Sequence, residues 1–163
     1  MSADTAVEIE RKFLVEPGAE LPADLDRQLS ERIDQGYLAL EEGVEVRVRR
    51  RGTRAFLTIK SSGARTRLEE ELEIDDGRFG RLWPLTEGRR VRKTRTYVPA
   101  GDGLTVELDV YAGAHEGLVV AEVEFPSEQA ADAFAPPAWL GREVTDDPRY
   151  KNRALALDGV PPS

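Results

Sequence analysis

The sequence of 163 residues contains no cysteine and a single histidine, His115. Without cysteine, the chain has neither a disulfide framework nor a thiolate nucleophile or metal ligand. His115 lies in Gly113-Ala114-His115-Glu116-Gly117, a stretch typical of a turn, and we expect it to be exposed and not catalytic. Nucleophilic catalysis by a Ser–His or Cys–His pair is therefore not expected.

Long apolar segments are missing as well. No apolar run approaches the roughly 18 residues that a membrane-spanning helix needs, and residues 1–7 contain no apolar segment of signal-peptide length. The net charge of −8 argues against non-specific binding to a nucleic-acid backbone. We therefore expect one domain over residues 1–163, located in the cytoplasm, with neither a membrane nor a nucleic-acid partner.

Charge is abundant: 33% of the residues are charged, where about a quarter is usual. Period-two alternation of apolar and charged residues predicts strands, separated by turn residues, and short connections favour antiparallel neighbours. Apolar spacing and capping residues predict helices in fewer places. The predicted strands are 7–15, 36–40, 44–51, 54–60, 67–74, 91–98, 104–111 and 118–125, and the predicted helices are 24–34, 76–83, 127–134 and 149–157. The fold class is α+β.

One face of these strands carries ionisable side chains with few uncharged polar ones, while the other face is apolar. A solvated sheet with cross-strand ion pairs would account for any single strand. The charges, however, segregate by sign, and like charges two residues apart repel each other unless an opposite charge lies between them. The segregated sets are Arg47/Arg49/Arg51, Glu69/Glu71/Glu73, Lys93/Arg95, Glu107/Asp109 and Glu122/Glu124, and the first strand adds Glu8, Glu10 and Lys12.

Facing strands could supply the opposite charge, and so could a polyvalent ligand with metal ions. If the charged faces converge inside a closed barrel, carboxylates would form a sector for hard divalent cations. Arginines and lysines would form a sector for phosphate oxygens. Helices would then cover the apolar outside of the barrel.

An ordered series of motifs resembles the CYTH family, also called triphosphate tunnel metalloenzymes. The opening Glu8-Ile9-Glu10-Arg11-Lys12 is similar to the family's Glu-x-Glu-x-Lys signature. The similarity continues through Gln35-Gly36-Tyr37-Leu38, Val46-Arg47-Val48-Arg49, Leu57-Thr58-Ile59-Lys60, Glu69-Glu70-Glu71, Lys93-Thr94-Arg95, Val106-Glu107-Leu108-Asp109, Ala121-Glu122-Val123-Glu124 and a terminal segment from Glu143 to Asn152. The similarity covers nearly the whole chain. Within the family, the chain is most similar to the short bacterial tripolyphosphatases.

The resemblance implies a closed eight-stranded antiparallel tunnel that binds a triphosphate with one or two Mg²⁺ or Mn²⁺ ions. It implies metal binding by Glu8, Glu10, Glu122 and Glu124, with Glu69, Glu71 and Asp109 as candidates for a second metal or for orienting water. It implies phosphate binding by Lys12, Arg47, Arg49, Lys60, Lys93 and Arg95. Catalytic roles fall to Lys12, Lys60, Glu71 and Asp109.

The function implied is metal-dependent hydrolysis of a small triphosphate, with inorganic tripolyphosphate as the first candidate. Thiamine triphosphatase and adenylate cyclase activities are alternatives within the family. Two further alternatives are a non-catalytic module that binds polyphosphate or a nucleotide, and an RNA-end triphosphatase. The acidic surface disfavours the RNA-end triphosphatase. Apolar strand faces that no helix covers would allow a homodimer.

Overall fold

The structure, a computed structural model, describes residues 9–61 and 68–162. One antiparallel sheet has the strand order β1-β8-β7-β6-β2-β3-β4-β5. Its strands are β1 (Ile9–Leu14), β2 (Ser30–Glu41), β3 (Val44–Arg51), β4 (Arg54–Ser61), β5 (Glu69–Ile74), β6 (Arg90–Pro99), β7 (Thr105–Ala112) and β8 (Val119–Phe125). The helices are α1 (Asp76–Leu82), α2 (Glu128–Ala133) and α3 (Asn152–Asp158), with 3₁₀ turns at Leu25–Arg27, Trp83–Thr86, Gly113–His115 and Pro148–Tyr150. The predicted α+β class is confirmed.

The helix predicted over residues 24–34 is wrong. Only Leu25–Arg27 forms a 3₁₀ turn, and β2 begins at Ser30. Three apolar residues at helical spacing suggested the helix, but β2 is paired with β3 on one edge and β6 on the other. Hydrogen bonding along both edges outweighs so weak a helical pattern.

The sheet is not closed into a barrel by hydrogen bonds, contrary to the sequence-based prediction. Within the described residues, β1 and β5 are edge strands with one strand neighbour each. The free edge of β1 is bonded instead to residues 141–145, which we call the edge strap. Val144 N donates to Lys12 O (2.8 Å), Leu14 N donates to Arg142 O (2.9 Å), and Gly141 N donates to Leu14 O (2.8 Å). These bonds occupy backbone groups that β5 would need for pairing.

The apolar face of the sheet is covered by two helices, as predicted. Phe79 of α1 is buried against Val48 and Ala55 and stacks on Trp83. At the other half of the sheet, the segment that contains α2 and Phe134 packs on β1, β7 and β8. Ser127 caps α2 by accepting a hydrogen bond from Ala130 N, as its position in the sequence predicts.

The third helix departs from the prediction, because α3 packs against the other face of the sheet. Leu155 is fully buried in a cluster with Val91, Tyr111 and Val120. His115 is also buried, contrary to the exposure predicted, and its Nε2 donates to Leu155 O (2.5 Å). The turn at His115 therefore anchors α3 instead of facing solvent.

Some apolar side chains remain outside these clusters. Val44, Ile59 and Leu72, on the apolar face of β3 to β5, are 45%, 37% and 53% exposed. The homodimer that such a surface suggests stays a prediction. Among the described residues, every helix is too short or too polar to cross a membrane.

Candidate active site

The strand register places the predicted site residues on one face of the sheet, which we call the charged face. Directly paired residues of antiparallel strands have side chains on the same side. Lys12 is paired with Glu122 and Arg95 with Asp109. Successive pairs carry the same face across the sheet to the far edge, and it includes Glu10, Lys12, Glu122, Glu124, Asp109, Lys93, Arg95, Arg47, Arg49, Lys60, Glu69 and Glu71. Glu8 lies outside the described residues.

Three of these side chains form a buried network. Asp109 is fully buried, and its oxygens accept hydrogen bonds from Lys93 Nζ (2.6 Å) and from Arg95 Nε and Nη2 (2.7 Å each). Burial alone would raise the pKa of Asp109, but the hydrogen bonds from Arg95 and the charge of Lys93 outweigh it and lower that pKa. Burial lowers the pKa of Lys93 more than Asp109 raises it. The ring of Tyr111 lies 5.2 Å from Lys93 Nζ.

Lys12 joins the charged face to the C-terminal part of the chain. Its ammonium lies 3.1 Å from Glu122 Oε1 and donates to Tyr150 O (3.2 Å). Its backbone N donates to Thr145 Oγ1 in the edge strap (3.0 Å). Within the described part of the chain, the buried side chain has one charged partner, and its ammonium has a third N–H that an anion could accept.

Carboxylates collect where β1, β8 and β7 meet. Glu10 is paired directly with Glu124, and Glu107 with Glu122. Like charges directly opposite destabilise a sheet, so these pairs favour a cation between them. Arg95 is the cation at the Glu107–Glu122 pair, with its Nη1 at 2.5 Å from Glu107 Oε2. Burial raises the pKa of Glu107, and the charges of Glu122 and Asp109 add to the shift.

These carboxylates have the chemistry of a magnesium or manganese site. In residues 9–61 and 68–162, no three acidic or imidazole groups lie close enough to form a complete ligand cage. Mg²⁺ does not need one, because it usually binds one or two carboxylates and completes its shell with water and phosphate oxygens. The donor set therefore fits an ion that binds together with a phosphate ligand.

The arginines of β3 have donors on the charged face that other side chains do not use. Among the residues that the structure describes, the buried Nε atoms of Arg47 and Arg49 have no hydrogen-bond partner, an arrangement that carries a free-energy penalty. Arg49 Nη2 lies 3.5 Å from Glu71 Oε2, and Arg47 Nη1 lies 3.9 Å from Glu45 Oε1. Burial, and next the charge of Arg47, lower the pKa of Arg49.

The residues of β4 and β5 are more open. Lys60 Nζ lies 3.3 Å from Glu69 Oε2, and Thr58 donates to Glu71 (3.3 Å). The side chains of Lys60 and Glu71 are 28% and 36% exposed, so a ligand can reach both.

Two residues of the charged face escaped the sequence-based prediction. Tyr97 Oη donates to Glu31 Oε1 (2.5 Å) between β6 and β2. Glu31 was missed because its segment was predicted to be helical. Tyr97 continues the alternation of Lys93 and Arg95, and the two-residue period of the strand is the signal that could have identified it.

A face that combines guanidinium groups, lysines and opposed carboxylates has the chemistry to bind a polyvalent anion together with a divalent cation. A protein-family model of the CYTH domain matches residues 6–151, and the chain belongs to this family. The resemblance predicted from the motifs is confirmed.

Relatives with named activities cover almost the full chain. The chain is 52% identical to an inorganic triphosphatase of Nitrosomonas europaea over 153 residues, which are 92% of this chain and 97% of the relative. It is 38% identical to an inorganic triphosphatase of Acetivibrio thermocellus over 151 residues, 91% of this chain and 92% of that one.

Solved structures share the fold. The crystal structure of the inorganic triphosphatase NE1496 has a TM-score of 0.77 at 49% identity, covering 93% of this chain and 95% of that one. A Hippeastrum protein, described as a putative adenylyl cyclase with a dominant triphosphatase activity, has a TM-score of 0.56 at 18% identity, covering 77% of this chain and 83% of that one. The second likeness shows the fold alone.

Proposed function

We propose that the protein hydrolyses inorganic tripolyphosphate to pyrophosphate and orthophosphate with the help of Mg²⁺ or Mn²⁺. The observation that carries the proposal is the pair of buried Nε groups of Arg47 and Arg49 on the charged face, which have no hydrogen-bond partner within residues 9–61 and 68–162. A polyphosphate would supply the acceptors that these groups lack. Support for the inorganic substrate comes from the two inorganic triphosphatases that resemble the chain at 52% and 38% identity.

In the proposed reaction, water attacks a terminal phosphorus and the bridging P–O bond breaks, so pyrophosphate leaves. Lys12, Lys60 and the β3 arginines bind phosphate oxygens and offset the charge that develops during transfer. Lys12 is held at the acidic side of the face by Glu122 and Tyr150 O. Lys60 approaches from the more open β4–β5 side.

The metal ions would be held by carboxylates of the charged face. Glu10, Glu122 and Glu124 are proposed ligands on β1 and β8, together with Glu8, and Glu69 and Glu71 are proposed for a second ion. When bound, the ions would lower the pKa of the attacking water and neutralise phosphate charge.

Asp109 acts, in this proposal, on its neighbours. The hydrogen bonds from Lys93 and Arg95 engage both of its oxygens, which leaves little capacity for a metal ion. Asp109 therefore positions Lys93 and Arg95 as phosphate-binding groups, and Glu71 is the better candidate for orienting water because it is partly exposed.

A substrate panel tests the proposal. Tripolyphosphate, thiamine triphosphate and ATP are each incubated with Mg²⁺, Mn²⁺ or no metal, and orthophosphate, pyrophosphate and cyclic AMP are measured. We expect metal-dependent release from tripolyphosphate and a loss of about 10²–10³ in rate for Lys60→Ala and Glu10→Gln. Glu70→Gln is the matched control, because Glu70 is exposed and pairs with Ile59 on the opposite face.

Each alternative function has its own outcome in this panel. Cyclic AMP from ATP would indicate a cyclase, and preferential cleavage of thiamine triphosphate would indicate a thiamine triphosphatase. Saturable binding of tripolyphosphate without hydrolysis in either metal would indicate a binding module.

A further inference from the structure

A chain of three side chains crosses the charged face on β6, β2 and β3. Tyr97 Oη donates to Glu31 Oε1 at 2.5 Å, and Arg51 Nε lies 3.4 Å from the same oxygen. Burial, followed by the hydrogen bond to Glu31, raises the pKa of Tyr97 to about 12, so Tyr97 is a hydrogen-bond donor at neutral pH. One carboxylate oxygen is thus shared between a neutral donor and a cation.

This group lies at the end of the charged face that α3 leaves uncovered. The helix packs around Val91 at the start of β6, whereas Tyr97 lies six residues further along, or about 20 Å at the rise of a strand. Arg51 is 42% exposed, compared with 12% for Arg47. An anion that approaches this end therefore meets Arg51 before it reaches the less exposed Arg49 and Arg47.

Arg51 has donors to offer such an anion. In the described residues, its terminal nitrogens make no hydrogen bond, and the contact at Nε is its single ion pair. Arg54, its direct neighbour across the β3–β4 hairpin, differs because Glu73 accepts hydrogen bonds from its Nε (3.0 Å) and Nη2 (2.7 Å). Two arginines of the same hairpin therefore differ in their free hydrogen-bonding capacity.

We propose that Arg51 is a further phosphate-binding residue at the uncovered end, and that Tyr97 is a positioning residue which keeps Glu31 from competing with the phosphate. When a phosphate binds Arg51, the interaction between Arg51 and Glu31 is weakened, and the Glu31 carboxylate would then repel the ligand. The hydroxyl of Tyr97 stabilises the carboxylate in place and weakens its hold on Arg51. The identity of the ligand rests on the proposed function; the contacts do not.

Calorimetric titration with inorganic tripolyphosphate in EDTA tests the inference without turnover. We expect binding about tenfold weaker in Arg51→Gln, because a charged hydrogen-bond donor is lost. Tyr97→Phe should bind about fivefold more weakly, because Glu31 then competes for Arg51. Adding Glu31→Gln to Tyr97→Phe should restore binding to within about twofold of the wild type. Under turnover, these changes should appear in KM and leave kcat within about twofold.

Arg54→Gln is the matched control, with an expected change below about twofold because Glu73 already neutralises its guanidinium. Equal weakening in Arg51→Gln and Arg54→Gln would reduce the effect to general surface charge and overturn the inference. Failure of Glu31→Gln to rescue Tyr97→Phe would overturn the role of Tyr97. A wild type that binds tripolyphosphate but releases no orthophosphate with Mg²⁺ or Mn²⁺ refutes the proposed function alone. A wild type that neither binds tripolyphosphate in EDTA nor releases orthophosphate with either metal refutes both.

Discussion

At the scale of single residues, the charged face depends on a buried carboxylate that pairs with two cations. Lys93 and Asp109 are 4% and 0% exposed, and the buried ammonium of Lys93 has the Asp109 carboxylate as its counter-charge. Arg95 adds two hydrogen bonds to the same carboxylate, and burial fixes all three side chains in one arrangement. A rigid basic surface needs little reorganisation when an anion binds.

Asp109→Asn should lower the free energy of unfolding by about 3–5 kcal/mol, because it leaves the buried ammonium of Lys93 without its counter-charge. Denaturation with urea measures the change. Asp102→Asn is the control: Asp102 lies in an exposed turn with a φ of 52°, which asparagine tolerates, and its effect should stay within about 0.5 kcal/mol. Equal effects of the two substitutions would refute the buried network.

The same carboxylate should make stability depend on pH. Because the pKa of Asp109 is lowered in the folded protein, the unfolded state binds the proton more readily. Its contribution is complete above the unfolded pKa of about 3.9 and is lost as the pH falls through the lower folded value. The free energy of unfolding, measured with urea between pH 7 and pH 3, should fall less steeply with decreasing pH for Asp109→Asn than for the wild type. The same pH dependence in both proteins would contradict the assignment.

At the scale of elements, alternation along each strand identified the charged face, because a period of two depends on local geometry alone. The same alternation could not reveal the edge strap or the position of α3, since both depend on contacts distant in sequence. Arg11 illustrates the difference. It lies between Glu10 and Lys12 in the opening motif, yet it faces the other way and donates to Glu143 in the strap (2.8 Å) and to Ala131 O after the first turn of α2 (3.0 Å).

Gly36 of β2 is another position where only the fold shows why a particular residue, here glycine, is required. A Cβ atom there would lie 2.4 Å from Thr86 Oγ1, and Thr86 is fully buried. Gly36→Ala should therefore lower the free energy of unfolding by about 1–3 kcal/mol. Gly80→Ala in α1 has nothing within 4 Å of the added Cβ and should be neutral or stabilising by up to about 1 kcal/mol in the same urea assay. If Gly36→Ala is as stable as Gly80→Ala, the close contact is wrong.

At the scale of the whole molecule, the two faces of one sheet have separate tasks. The apolar face packs under α1 and α2 and holds the strands in register. Helix α3 covers one end of the charged face, and Arg51 lies at the other end with an exposed side chain. Alternation along the strands predicted these two faces. The closed tunnel that the family resemblance implied does not form through hydrogen bonds, because the strap that occupies the edge of β1 comes from the far end of the chain.

The most direct measurement compares two neighbouring arginines of β3 that point to opposite faces. Arg49 lies on the charged face, whereas Arg50 pairs with Asp76 (2.7 Å) and stacks over Phe79 on the other. Orthophosphate release from tripolyphosphate is measured at saturating Mg²⁺ or Mn²⁺. We predict that Arg49→Gln loses about 10²-fold or more in kcat/KM, and that Arg50→Gln stays within about threefold of the wild type. Equal rates in the two variants would contradict the assignment of triphosphate hydrolysis to the charged face.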